Sequence, residues 1–218
     1  MQKYIIMGPQ GCGKGTQATL LAKDLGLTHF SVGDIFRWNV AAHTKLAARI
    51  KRIMDAGELV PDELVEEIIR RRLDQHDWNY GYIIDGFPRN AKQARFFLES
   101  YDVDAVVHIN LPAEVAQRRA LSRRTCTGCG MEYNLMHRPP AVAETCDACG
   151  ERLASRRDDT VEALAKRLHD YDTKTRPTLE LFEQKEIVVY VDGSGTVAET
   201  QNRIRELLKL PQWAAAAS

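Results

Sequence analysis

Nine consecutive residues carry the clearest chemistry in this 218-residue chain: Gly8-Pro9-Gln10-Gly11-Cys12-Gly13-Lys14-Gly15-Thr16. Glycines let the backbone turn tightly and aim successive N–H groups at one point, which makes a nest for an anion. A helix starting at the end of such a loop adds partial positive charge. Lys14 brings a full charge within reach of β- and γ-phosphates, and the Thr16 hydroxyl suits Mg²⁺. The spacing departs from the strict G-x-x-x-x-G-K-[ST] pattern, because Gly15 stands at the hydroxyl position and Thr16 follows it. Cys12 reads as a small space-filling residue inside the loop.

Two further sets stand out. Asp85 ends an apolar run, where ligands gather at the carboxyl edge of an open parallel sheet, and is a candidate Mg²⁺ partner, direct or through water. Arg89 follows in the stiff Gly86-Phe87-Pro88-Arg89 loop, and its planar fork suits phosphate. The second set is Cys126-x-x-Cys129 and Cys146-x-x-Cys149, with sixteen residues between the pairs. This is the spacing of a zinc ribbon. Four thiolates close the coordination sphere, so the metal is expected to be structural Zn²⁺, with Fe or Co as other ions that four thiolates accept. His137 is then surplus to the site.

The elements that must position these groups follow from the apolar pattern. Residues 4–7, 82–85, 105–109 and 187–191 read as strands, and 29–34 as a short strand running into a turn. Helical spacing follows the glycine loop through residue 25, spans 35–53 in two pieces, begins again after Pro61, and covers 91–101, 112–124 and 197–210. A long helix over 158–184 is expected to bend or break at Pro177. Five apolar strands separated by helices predict an α/β fold, a parallel five-stranded sheet covered on both faces. Two segments interrupt the alternation, dividing the chain into a core (1–30, 61–124 and 158–218), a helical insert (31–60) and a cysteine-bearing lid (125–157). The tail beyond Pro211 shows no core pattern and is expected to fray.

Composition excludes several classes. Thirty basic residues balance thirty acidic ones, so no global field points to nucleic acid or an anionic membrane. No apolar stretch is long enough to span a bilayer. The first strand starts almost at once after Met1, leaving no room for a secretory signal, so a cytoplasmic protein is expected. Residues 118–157 carry eight arginines and four acids, with the arginines concentrated at the two junctions of the cysteine segment. That suits a lid over polyphosphate better than a nucleic-acid ribbon, which would interleave basic residues with stacking aromatics; besides His137, Tyr133 is the segment's only aromatic.

Taken together, the loop Gly8–Thr16, Ser31-Val32-Gly33-Asp34-Ile35-Phe36-Arg37, Gly57-Glu58-Leu59-Val60, Asp85-Gly86-Phe87-Pro88-Arg89 and the cysteine pairs resemble the nucleoside monophosphate kinases, adenylate kinase in particular, over nearly the whole chain. The resemblance implies MgATP and AMP as substrates, ADP as product, a P-loop core with a helical AMP-binding insert, a zinc-bearing lid and a monomer. It implies an ATP side made of Gly11, Cys12, Gly13, Lys14, Gly15, Thr16, Arg119, Arg123, Tyr133 and Gly195. It implies an AMP side made of Ser31 facing the adenine, Arg37 on the phosphate, the Glu58–Val60 turn, Gly86, Arg89, and Gln93 reading the base edge. Arg156 and Arg167 would lie near the phosphates, oriented with Arg123 by Asp158 and Asp159. Lys14, Asp85, Arg89, Arg123, Arg156 and Arg167 would carry the phosphoryl transfer. Many members have threonine where Ser31 stands and lysine where Glu58 stands. A GTP:AMP phosphotransferase is the neighbouring reading, and a P-loop ATPase with a nucleic-acid ribbon the distant one.

Overall fold

The computed structural model describes residues 2–77 and 80–212. Five parallel strands form the central sheet in the order β2-β3-β1-β4-β8: β1 (Lys3–Met7), β2 (Thr28–Ser31), β3 (Tyr82–Asp85), β4 (Ala105–Asn110) and β8 (Val188–Asp192). Side chains alternate across each strand, so one sequence feeds two cores. Ile5, Met7, Tyr82, Ile84 and Val106 pack on one face, while Tyr4, Ile6, Ile83, Val107 and Ile109 pack on the other. This double burial is why the strands read as unbroken apolar runs.

Helices α1 (Lys14–Leu25), α4 (Asp62–Asp74), α5 (Ala91–Ser100) and α6 (Ala113–Leu121) lie between strands, and α9 (Val197–Leu207) follows the last strand, β8. The insert is α2 (Val32–Ala41) and α3 (Lys45–Asp55), each started by a hydroxyl cap, Ser31 on Asp34 N–H and Thr44 on Ala47 N–H. A second, antiparallel sheet holds β6 (Glu132–Asn134), β5 (Arg123–Cys126) and β7 (Leu153–Ala154) in that order.

Two expectations about helices are corrected. The helix placed over 112–124 ends at Leu121, and Arg123 and Arg124 lie on β5. Strand pairing wins there, since Arg123 and Arg124 sit opposite Asn134 and Tyr133. The long helix over 158–184 breaks before Pro177 as well as at it. Helix α7 (Val161–Asp170) gives way to a π-turn at Tyr171–Thr175, a 3₁₀ turn at Arg176–Thr178 and then α8 (Leu179–Glu183). The wide turn brings the Thr175 hydroxyl onto the Arg89 carbonyl at 2.8 Å. Four strands match the expected positions to within one residue at their ends, while the run expected over 29–34 stops at Ser31, whose hydroxyl caps α2 from Val32 onward. Most of the tail expected to fray, from residue 213, falls outside the described residues.

Candidate active site

The carboxyl ends of β1, β2 and β3 meet at one edge of the sheet, with Ile6 beside Asp85 and Ser31 beside Asp85 in register. Above that edge opens a cleft of about 1180 Å³, walled by the insert on one side and the small sheet on the other. Every nucleotide-site residue named from the sequence lines this cleft.

The glycine loop is built for close approach. Gly11 has φ +91°, and a Cβ there would stand 2.1 Å from the Ala116 carbonyl oxygen, so α6 admits only glycine. Gly13 caps α1 in the left-handed region at φ +94° with no side chain on the helix N-terminus. The first N–H groups of α1 therefore face the cleft without a capping group. Lys14 Nζ is held at 3.2 Å on the Pro9 carbonyl. Cys12 is buried, and burial pushes its thiol above the ordinary range, which fits a packing role.

The arginines are positioned by acids. Arg123 binds Asp159 through two hydrogen bonds of 2.9 and 2.7 Å, and Arg167 binds Asp158 at 2.5 Å. Asp158 and Asp159 are both buried. Burial opposes charge on Asp158, yet Arg167 and Arg37 outweigh it and hold the carboxyl below the usual range. On the insert, Arg37 pairs with Asp34, its Nε 3.1 Å from the carboxylate. Arg156 meets Glu132 of β6 and lies 3.9 Å from Asp34. Arg89 donates to the Gly86 carbonyl at 2.9 Å. Arg119 spans the Gly193–Gly195 turn, donating at 2.8, 3.2 and 3.5 Å to the carbonyls of Gly193, Ser194 and Gly195.

This crowding leaves its mark on the guanidiniums. Burial, then Arg167, brings Arg89 down to about 10, and burial, then Arg123 and Arg37, brings Arg156 down to about 9. Both remain charged at neutral pH. The Nε groups of Arg119, Arg156 and Arg167 are buried without a partner, so the cleft holds more cationic donors than its own acids satisfy. These unmet donors suit an anionic ligand.

Gln93 is 1 % exposed, with its amide oxygen on the Arg89 N–H at 2.8 Å and its amide nitrogen on Asp62 at 2.7 Å. Asp62 also holds Asn90 at 2.7 Å. The amide is thus locked, with one lone pair and one N–H left over. Tyr133 is buried in the small sheet, its hydroxyl 3.4 Å from Cys146 Sγ, and presents only part of its surface to the cleft. Glu58 pairs with Lys166 at 2.7 Å, which ties the segment after α3 to α7.

Polar and aromatic cleft residues without a role from the sequence include His29, Trp38, Glu132, Asn134, His137 and Arg138. Asn134 holds the Arg119 carbonyl at 2.8 Å. His137, expected to be surplus, is exposed but faces the cleft. The lid residues among them carry no periodicity that would reveal their direction. Asp34 was readable in principle, since it precedes Arg37 by three residues on one helix.

The four cysteines converge. Their sulfurs all lie within 4.8 Å of one another, with Cys126–Cys149 at 3.4 Å and Cys129–Cys146 at 3.6 Å. Four sulfurs about 2.3 Å from one ion would stand about 3.8 Å apart, so the set fits a tetrahedral metal. For Mg²⁺, the fitting groups are Thr16, exposed on the first turn of α1, and Asp85, whose Oδ1 is buried and unpartnered. Asp85 Oδ2 lies 3.2 Å from the position a Cβ would take on Gly15, so the carboxylate sits against the loop.

Comparison with known proteins agrees with this geometry. The family model for adenylate kinase matches residues 6–187. The chain belongs to the adenylate kinase family. An adenylate kinase from Thermoanaerobacter sp. (strain X514) is 40% identical over 211 residues, covering 94% of this chain and 97% of that one. One from Clostridium tetani is 40% identical over 209 residues, covering 94% and 97%. One from Methanocella arvoryzae is 38% identical over 212 residues, covering 95% and 98%. Membership makes the chain a nucleotide-binding phosphotransferase, and its cysteine cluster gives the family's fold a metal-site lid.

Proposed function

We propose that this cleft carries out ATP + AMP ⇌ 2 ADP, with MgATP on the glycine loop and lid and AMP on the insert. The reversible transfer between ATP and AMP is the family's reaction. One observation supports the residue assignment above all: Lys14, Arg89, Arg123, Arg156 and Arg167 line a single cleft with a bare helix N-terminus.

Phosphoryl transfer spreads negative charge over the moving group, and it is catalysed mainly by position and electrostatics. Lys14 and the loop N–H groups hold the donor's β- and γ-phosphates. Arg123, Arg156 and Arg167 surround the group in flight, with Arg123 fixed by Asp159 and Arg167 by Asp158. Arg37 and Arg89 hold the acceptor phosphate. That acceptor is already an anion, so no general base is required. The locked Gln93 amide offers one donor and one acceptor to the edge of the AMP base, while Ser31 and the Glu58–Val60 turn face the same nucleotide. Arg119, Tyr133 and Gly195 belong to the donor side. Thr16 and Asp85 would hold Mg²⁺, directly or through water, and the ion would neutralise charge between the phosphates. Closure of the insert and lid excludes water, which directs the phosphate to AMP.

Cys126, Cys129, Cys146 and Cys149 are read as a structural Zn²⁺ site, with Fe or Co as competing ions. The small lid cluster of Cys126, Tyr133, Cys146 and Leu153 supplies little burial of its own, which supports a bracing metal. The reading includes a cytoplasmic monomer acting on free nucleotides, with no nucleic-acid or membrane partner; the balanced charge supports it.

The test is ADP formation from ATP, AMP and Mg²⁺ beside ATP alone and ATP with UMP, CMP or GMP. Fast ADP production that needs AMP is expected. ATP loss indifferent to AMP would overturn the proposal.

A further inference from the structure

Four of the cleft arginines are paired with carboxylates, and the pairs differ in one respect. Asp159 and Asp158, on Arg123 and Arg167, keep 1% and 6% of their side-chain surface exposed. Carboxylates so deep, bonded by guanidiniums at 2.5–2.9 Å, are permanent supports. Leaving their arginines would strand a buried charge.

Glu132 is different. It stands on the three-residue strand β6, its side chain is 43% exposed, and its partner Arg156 is only 11% exposed. The arginine is therefore the fixed member and the glutamate the movable one. Water can take up the released carboxylate cheaply, whereas Arg156 stays in the cleft with its Nε buried and unpartnered. Both residues line the same cleft as the glycine loop. Asp34 lies 3.9 Å from Arg156, but its carboxylate is engaged by Arg37 at 3.1 Å. A polyphosphate reaching Arg156 thus meets one direct competitor.

We infer that Glu132 is a displaceable counter-ion: it occupies Arg156 in the empty cleft, and an incoming nucleotide phosphate must evict it. Glu132 is a positioning residue with two effects. It keeps Arg156 aimed into the cleft when no phosphate is there, and it weakens the hold on phosphates, so product leaves faster. The inference rests on the proposal that Arg156 receives nucleotide phosphate.

The test is calorimetric titration of the full-length protein with ADP, using the parent and Glu132→Gln. Removing the competing charge is expected to tighten ADP binding about two- to fivefold, the range for a partly exposed ion pair. KM for ATP should fall by a similar factor while kcat does not rise, and Glu132→Asp should return both toward the parent. If the Gln variant melts well below the parent, Glu132→Thr, which suits a strand, replaces it. Unchanged or weaker ADP binding in the variant that keeps the parent's melting temperature overturns the inference. A lower melting temperature with unchanged binding also overturns it, since that is a purely structural role. Parent protein that does not bind ADP at all would instead overturn the proposed function.

Discussion

Arg123 and Asp159 form a two-point pair, Nε to Oδ2 at 2.9 Å and a terminal nitrogen to Oδ1 at 2.7 Å, across the two ends of the small sheet's segment. Arg123 begins β5 and Asp159 stands just before Thr160, the N-cap of α7, so the pair staples the point where the lid leaves the core to the point where it returns. The same contact fixes the plane of a guanidinium in the cleft.

Asp159→Asn should separate position from charge. Asparagine keeps one acceptor but turns an N–H₂ toward a guanidinium that only donates. The lost bond in a buried site should cost about 1–3 kcal/mol of stability. A displaced Arg123 should lower kcat by roughly 10- to 100-fold with a smaller change in KM. Melting curves and steady-state rates of ADP formation check both; a folded variant with parental kcat would remove Asp159 from the positioning of Arg123.

Lys14→Met should abolish transfer without unfolding the protein. Lys14 Nζ is bonded to the Pro9 carbonyl at 3.2 Å, an arrangement the fold does not need. Its charge is needed where negative charge accumulates, and removing one such group is expected to lower kcat by about 10²–10³ or more. Measurable parental activity in this variant would sink the assignment of the loop as donor site.

Cys126→Ser and Cys149→Ser should affect stability before chemistry. A structural tetrathiolate missing one ligand loses metal, and the lid's own core is four buried residues. A loss of about 3 kcal/mol would lower Tm by roughly 6–12 °C in a chain this size. Turnover at low temperature should fall much less. Metal analysis of the parent should give one tightly bound ion per chain, zinc being expected. Complete loss of turnover in a folded variant would mean the metal does more than brace the lid.

The legible parts were those with local causes. Strands buried on both faces gave apolar runs, so residues 4–7, 82–85 and 105–109 were readable, and the glycine loop was readable because strand, glycines and helix are contiguous. What stayed hidden depended on contacts between distant residues. Nothing near Leu121 says that the helix stops there; pairing with Asn134 and Tyr133 decides it. Gln93 was named, but the lock on its amide comes from Asp62, thirty-one positions away. The π-turn at Tyr171–Thr175 has no proline or glycine to announce it, and its partners lie on Arg89 and β4.

That last contact carries a pH prediction. His108, on β4, is 4% exposed; its Nε2 meets the Tyr171 hydroxyl, and its ring packs edge-on against Tyr190 with centroids 5.3 Å apart. Burial, then the charge of Arg176, lowers it from 6.5 to about 4, with nearby Glu183 pulling weakly the other way. The folded state therefore resists protonation that the unfolded chain accepts. Between about pH 6.5 and 4 the unfolded state binds the extra proton, so stability falls as pH drops through that window and is at its full value above it. His29 shifts in the same direction through burial, so the parent alone does not isolate the effect. Comparing Tm of the parent with His108→Gln across pH 4 to 7.5 does. The variant should be less stable at pH 7.5 through imperfect packing, and its loss of Tm on acidification should be shallower. Parallel curves would show that His108 does not titrate against folding, and that its contact with Tyr171 holds the π-turn in either protonation state.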